Sequence, residues 1–187
     1  MTDYRIATSA DIDGIMALQS LYHVDSISEK DKANGFVTTL FSKEQLSDLI
    51  DNPDNALVIA LNEQNVVVGY AMNADWHYWS QWTFFQHMIA DLPNVQLDGI
   101  QATLDNSFQY GPVCIHTDYR GGDVLKNLFD RSCQHMAKRF LLLLTFINHK
   151  NPRSHHAHVN KLGLTVIKNF EFNSNQYYYL GYNIAEL

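Results

Sequence analysis

The chain has 187 residues, a length at which one domain is the ordinary outcome and about 70% of the unfolded surface is buried on folding. Hydrophobic residues make up 46% and charged residues 18%, which excludes a disordered chain. A net charge of −7 with only 13 Lys and Arg speaks against a nucleic-acid partner, which demands a basic face. It suits a cationic substrate, although solubility alone accounts for many acidic surfaces.

The only cysteines are Cys114 and Cys133. Both lie in apolar-patterned segments, as expected in a reducing compartment and not of a disulfide framework. Met1–Asp11 has neither a basic nor an apolar stretch of the kind a signal peptide carries. The most apolar run, Phe140–Ile147, is far shorter than the ~20 residues of a membrane helix. A cytoplasmic protein without a membrane partner is expected.

In chain order, Tyr4–Ala7 reads as a strand, and Ser9 as the cap of a helix carrying Ile12, Ile15, Met16, Leu18, Leu21 and Tyr22. Residues 25–40 read as a loop or broken helix. Ser42-Lys43-Glu44-Gln45 is a capping-box pattern before Leu46, Leu49 and Ile50, and Asn52-Pro53 ends that helix. Ala56–Leu61 and Val66–Met72 form a hairpin pattern. Trp79–Ile89 reads as one helix with Trp82, Phe85 and Ile89 on a face, and Leu92–Ser107 as an inserted loop with a short helix. Phe108–His116 is a strand, the segment after Gly122 a helix through Val124, Leu125, Leu128, Phe129 and Met136, and Phe140–Ile147 a strand covered on both faces. That is a βαβ unit. A short helix over Ser154–Leu162 and a hairpin of Thr165–Phe172 with Gln176–Ile184 close the chain. No linker or repeat interrupts it, so residues 1–187 read as a single domain.

The junction from Ile115 to Leu125 carries the clearest chemistry. A strand enters a turn with Arg120, Gly121 and Gly122, and a helix starts at once. The N–H groups at a helix start are unpaired and partly positive, and glycine lets an anion approach the backbone. A tight turn without ligand is the alternative reading. Neither a dinucleotide fingerprint nor a P-loop is present.

The run from Val113 to Leu125 resembles the acetyl-CoA motif of the GNAT superfamily, in which an apolar strand is followed by Arg or Gln and a glycine-rich loop. Asn148-His149-Lys150-Asn151-Pro152-Arg153-Ser154 and Lys161-Leu162-Gly163-Leu164 resemble the segment flanking the pantetheine arm, and Tyr4–Asp11 resembles the opening strand. This resemblance implies an α/β fold: a mixed, mostly antiparallel central sheet of about seven strands flanked by helices, with a splayed parallel pair holding the cofactor. It also implies an N-acetyltransferase that moves an acetyl group from acetyl-CoA to a primary amine by direct transfer, on a small-molecule or peptide acceptor, with a homodimer as one assembly. The cofactor-binding residues it implies are Val113, Cys114, Ile115, Arg120, Gly121, Gly122, Asp123, Val124, Leu125, Asn148 and Asn151. Two departures keep open a catalytically weak CoA-binding sensor or interaction module. Asp123 and Leu125 stand where the family usually has small residues, and the frequent tyrosine acid is missing. Counted forward from Ser154, His158 takes that tyrosine's place and becomes the candidate proton donor; counted back from Gly163, the place falls on Val159. The helix therefore has one extra residue.

His116, Asp75, His77 and Tyr110 are candidates for the base. His149, His155, His156 and His158 crowd ten residues, yet lack the Cys or carboxylate partners and common face of a zinc site, so no metal is expected. The aromatic run Asp75–Phe85, with Trp76, Tyr78, Trp79 and Trp82, reads either as core or as an acceptor pocket gripping an amine by cation–π contact.

Overall fold

The structure, a computed structural model, describes residues 2–29 and 36–185. Part of the loop or broken helix expected over 25–40 lies outside them. Seven strands are hydrogen-bonded in the order β1-β2-β3-β6-β7-β9-β8, and β4 and β5 form a separate two-stranded ribbon. The expected mixed, mostly antiparallel sheet of seven strands is present, with one parallel pair, β6 and β7.

The chain forms two compact units. The first, Met1–Asn73 with Gly111–His135, contains β1 (Asp3–Ile6), α1 (Ile12–Leu21), α2 (Lys43–Asp51), β2 (Ala56–Leu61), β3 (Val67–Ala74, save its last residue), the end of β6 (Ser107–Ile115) and α5 (Val124–Met136, save its last residue). β2 pairs antiparallel with β1 and β3 and is buried at every position. Gly69 on β3 lets α5 close in, since a Cβ there would sit 3.3 Å from Leu128 and 3.4 Å from Val124. The Ser42 capping box forms as expected: Ser42 Oγ accepts from Gln45 N–H (3.2 Å) and Gln45 Oε1 accepts from Ser42 N–H (3.0 Å). Ser9 does not cap α1: it begins a 3-10 turn, Ser9–Asp11, that is capped by Thr8 and precedes the helix, whose own cap position is Asp11. Asp11 accepts from Thr8 N–H (2.8 Å) and from both terminal nitrogens of Arg5 (2.8 Å each).

The second unit, Ala74–Tyr110 with Met136–Leu187, contains α3 (Trp76–Trp79), α4 (Thr83–Asp91), β4 (Gln96–Leu97), β5 (Ile100–Gln101), the start of β6, β7 (Leu142–Asn148), α6 (Pro152–His156), β8 (Thr165–Phe172) and β9 (Asn175–Asn183). The helix expected over Trp79–Ile89 is broken in two. Ser80 Oγ donates to the His77 carbonyl (2.7 Å) and Gln81 Nε2 to that of Tyr78 (3.0 Å), a side-chain competition that stops a helix. The expected loop over Leu92–Ser107 contains the β4–β5 ribbon, turned at Asp98 and Gly99 with φ of 51° and 79°. The β6–β7 ladder joins Ser107–Gln109 to Leu142–Leu144. The next carbonyl, Tyr110 O, accepts from two side chains, Gln109 Nε2 (2.6 Å) and Thr145 Oγ1 (2.7 Å). Gly111, at φ 95°, then redirects the strand.

The hydrogen bonds from Arg5, aided by Thr8, pull the Asp11 carboxyl down to about 2. A depressed carboxylate stabilises the fold above its unfolded pKa, near 3.9, and that contribution disappears as pH falls toward the folded value. Urea midpoints measured from pH 6 to pH 2 should fall less steeply in Asp11→Asn than in the parent.

Candidate functional site

The first unit assembles the strand–loop–helix junction. Val113, Cys114 and Ile115 end β6, and His116 N–H donates to the Val68 carbonyl of β3 (2.8 Å). Because successive N–H groups of a strand point to opposite edges, the Ile115 N–H faces the edge of β6 away from β3. Thr117–Tyr119 form a 3-10 turn, and Arg120 folds back so that its Nε donates to the Ile115 carbonyl (2.7 Å). Gly121 has φ of 88°, the left-handed region that glycine enters without strain. Asp123 is the last residue before α5, and its carbonyl accepts from the Asn127 N–H and Nδ2, both at 2.9 Å. Val124 is buried, Leu125 half-buried, and Asp123 exposed.

This stretch fits an anion. A Cβ built on Gly121 or Gly122 meets nothing within 4 Å, so open space lies directly over the backbone. The N–H groups that begin α5 are those a helix leaves without intrahelical partners.

The second unit holds the remaining candidates. Asn148 ends β7, and its side chain accepts from Lys150 N–H (2.9 Å); Asn151 caps α6 by accepting from Ser154 N–H (3.1 Å). After α6 the chain makes a π-helical turn, Ala157–Lys161, in which Leu162 N–H reaches the Ala157 carbonyl at 3.1 Å. A π turn absorbs one residue more than an α turn, which accounts for the extra residue counted between Ser154 and Gly163. Within it His158 faces inward at 8% exposure. Its Nδ1 sits 2.8 Å from the Ser154 carbonyl, so that nitrogen carries a hydrogen and Nε2 is left as an acceptor. Burial pushes its pKa below the usual 6.5, favouring the neutral ring. The candidate acid is thus held in the form that accepts a proton.

Trp76 and Trp79 are 1% and 0% exposed. Trp76 Nε1 donates to Ser107 Oγ (3.0 Å), and Trp79 packs on Phe85 with ring centroids 4.5 Å apart. Burial gives these two to the core; Tyr78 is nearly buried and Trp82 half-buried. Among the base candidates, Asp75 caps α3 through Tyr78 N–H (2.9 Å), His116 Nδ1 accepts from Asp118 N–H (3.3 Å), Tyr110 is buried, and His77 is exposed. The histidine cluster is split by Tyr178, whose ring lies 3.9 Å from His149 and 4.3 Å from His155. No group of three or more His, Cys, Asp or Glu among the described residues is arranged to hold a metal.

Two residues that bear on the loop were absent from the sequence reading of the site. Tyr22 Oη accepts from Thr117 N–H (2.7 Å), and Asn62 Nδ2 donates to Tyr119 Oη (3.4 Å). Tyr22 lies 95 positions from Thr117, beyond any local signal.

Compared by sequence, the chain matches no protein-family model and no curated protein. Compared by structure, it resembles an acetyltransferase of the GNAT family from Streptococcus pneumoniae, with a TM-score of 0.66 at 10% identity, covering 99% of this chain and 100% of that one. The chain has the GNAT fold. It is also similar to a ribosomal-protein-alanine N-acetyltransferase from Brucella melitensis (TM-score 0.62, 17% identity, 97% of this chain and 99% of that one). A GNAT superfamily phosphinothricin acetyltransferase from Sinorhizobium meliloti, solved in complex with AcCoA, aligns with TM-score 0.59 at 14% identity over 97% of this chain and 88% of that one. Among the described residues no helix is long and apolar enough to cross a membrane.

A depressed histidine pKa makes the fold less stable below the unfolded pKa, since only the unfolded chain takes up the proton readily. Lowering the pH from 7.5 to 5 should therefore reduce the parent's urea midpoint more than that of His158→Gln. Equal losses would show that the ring is protonated in place.

Proposed function

We propose that the protein is an acetyl-CoA-dependent N-acetyltransferase that moves an acetyl group to a primary amine by direct transfer. The observation that carries this reading is the open space over Gly121 and Gly122 at the start of α5, in a GNAT fold whose neighbour from Sinorhizobium meliloti holds AcCoA. The diphosphate would rest on the backbone of Arg120–Leu125, and the β6 segment Val113–Ile115 would pair with the pantetheine amides. Asn148 and Asn151 would shape the segment beside the pantetheine arm. Residues 1–187 would act as one catalytic domain, in the cytoplasm.

In the reaction, the amine nitrogen forms a bond to the thioester carbon, the carbon–sulfur bond breaks, and CoA leaves as a thiolate that gains a proton. The Ile115 N–H, turned away from β3, is the proposed donor to the oxyanion. A lysine-like amine costs about 4.6 kcal/mol to deprotonate at pH 7, so a base must assist. Neutral His158, with Nε2 as acceptor, is suited to receiving a proton, and the thiolate can leave without an obligatory acid. The two cysteine thiols are pushed up to about 12 by burial and stay protonated, which favours direct transfer over an acyl-cysteine intermediate. We assign acceptor contact to Trp82 and the edge of Tyr78; the core positions of Trp76 and Trp79 argue against their lining it.

A CoA-binding sensor is the second reading, favoured by Asp123 in the loop. Its carbonyl, and not its carboxylate, is what the helix start uses. Asp123→Gly should leave acetyl-CoA affinity within about twofold. Gly121→Val should weaken it at least about tenfold, or 1.4 kcal/mol, by filling the open space and straining a positive φ. Calorimetric titration checks both, and an amine panel scored for free thiol separates enzyme from sensor. Unchanged affinity in Gly121→Val would place the diphosphate elsewhere.

A further inference from the structure

The loop from Thr117 to Arg120 does not hold its shape alone. Its own backbone bonds are Tyr119 N–H to the His116 carbonyl (2.9 Å) and Arg120 N–H to the Thr117 carbonyl (3.1 Å), joined by Arg120 Nε to the Ile115 carbonyl (2.7 Å) and Asp118 N–H to His116 Nδ1 (3.3 Å). Tyr22, the residue that caps the C-terminal end of α1, supplies four more contacts. Its hydroxyl accepts from the Thr117 N–H at 2.7 Å and lies 2.9 Å from Thr117 Oγ1, close enough for a second hydrogen bond. Its ring carries the Arg120 guanidinium, 4.6 Å from the centroid, and meets His116 edge-on at 5.9 Å. Tyr22 is itself fixed, because its carbonyl accepts from Val37 N–H (2.9 Å) and the neighbouring Val24 N–H donates to the Val37 carbonyl (2.9 Å). A cation on an aromatic face and a hydroxyl bonded to a backbone amide are both used here on one short turn.

Resting on the acetyl-CoA reading above, we propose that Tyr22 is a positioning residue for the diphosphate. It holds Thr117–Arg120 in the shape that presents Arg120 and the Gly121–Leu125 backbone to the two phosphates. It touches the loop and not the reacting atoms, so it acts on affinity and not on the acyl-transfer step. The physical basis is the fraction of time the loop spends in its binding shape: affinity falls in proportion to that fraction. Without the Tyr22 hydroxyl the Thr117 N–H loses its partner, and without the ring the Arg120 guanidinium loses its aromatic contact.

The test uses Tyr22→Leu, Tyr22→Phe and Thr117→Val in the full chain, each checked for folding by circular dichroism and thermal melting. Dissociation constants are measured for acetyl-CoA and for S-acetylpantetheine, which has the thioester arm but no diphosphate, by calorimetry and ligand-observed NMR. Tyr22→Leu should weaken acetyl-CoA about tenfold or more, and Tyr22→Phe, which keeps the ring under Arg120, by a smaller factor. S-acetylpantetheine affinity should stay within about twofold in both, because its site does not depend on the loop. An equal loss for both ligands would make Tyr22 a general structural residue, and unchanged acetyl-CoA affinity in Tyr22→Leu would remove it from the site altogether; either overturns the proposal. If Tyr22→Leu does not fold, Tyr22→Phe and Thr117→Val decide by the same comparison. A folded parent that binds no acetyl-CoA would instead overturn the functional reading beneath it.

Discussion

The first amides of a helix have no carbonyls of their own to bond, and α5 begins directly after a turn that two glycines leave uncovered. That constraint organises the first unit. Gly69 on β3 brings α5 close to the sheet through Leu128 and Val124. The buried face of α5, Val124, Leu128, Phe129, Ser132, Cys133 and Met136, fixes the helix axis. The direction of its N-terminus follows from that packing. An anion site built this way would cost little in side-chain entropy, since backbone groups and Arg120 would do the binding.

Burial separates packing from chemistry elsewhere. Cys114, within the proposed pantetheine strand, is a thiol that burial keeps protonated, with Tyr70 and Arg120 among its surroundings. Trp76, Met88, Leu92 and Tyr179 belong to one core cluster of the second unit, against which Phe84, Phe85, Phe146 and Phe170 pack. That cluster accounts for Trp76, Phe84 and Phe85 of the aromatic run. His158 shows the same effect on a titratable group: the inward π turn that places it also strips it of solvent and settles it as neutral.

Local signals were legible wherever the deciding interactions are local. The Ser42–Gln45 box, the Ala56–Met72 hairpin and the turn at Asn173 and Ser174, both at positive φ, each rest on residues within a few positions of one another. The extra residue before Gly163 was legible by counting, and the π turn is its physical form. Asp98-Gly99 carries a hairpin signal, but two-residue strands are too short for periodicity to reveal. The break at Ser80 was hidden because Trp79, Trp82, Phe85 and Ile89 keep helical spacing across it, while side-chain bonds to the backbone win locally. Of the candidate site, the strand–loop–helix junction and the helical segment that carries His158 were legible from motif order. Tyr22 and Asn62 were not, since their partners Thr117 and Tyr119 lie 95 and 57 positions away and no periodic pattern links them. The burial of Trp76 and Trp79 likewise depends on tertiary packing that composition does not encode.

The central claim is that the amides opening α5 receive the diphosphate of acetyl-CoA, and the most direct measurement is an amide-resolved NMR titration of isotopically labelled protein with CoA. The account predicts saturable shifts concentrated at the N–H groups of Gly121, Gly122, Val124 and Leu125, with 3′-phosphate-free CoA giving the same set. Saturable binding that leaves those four amides unmoved would contradict it.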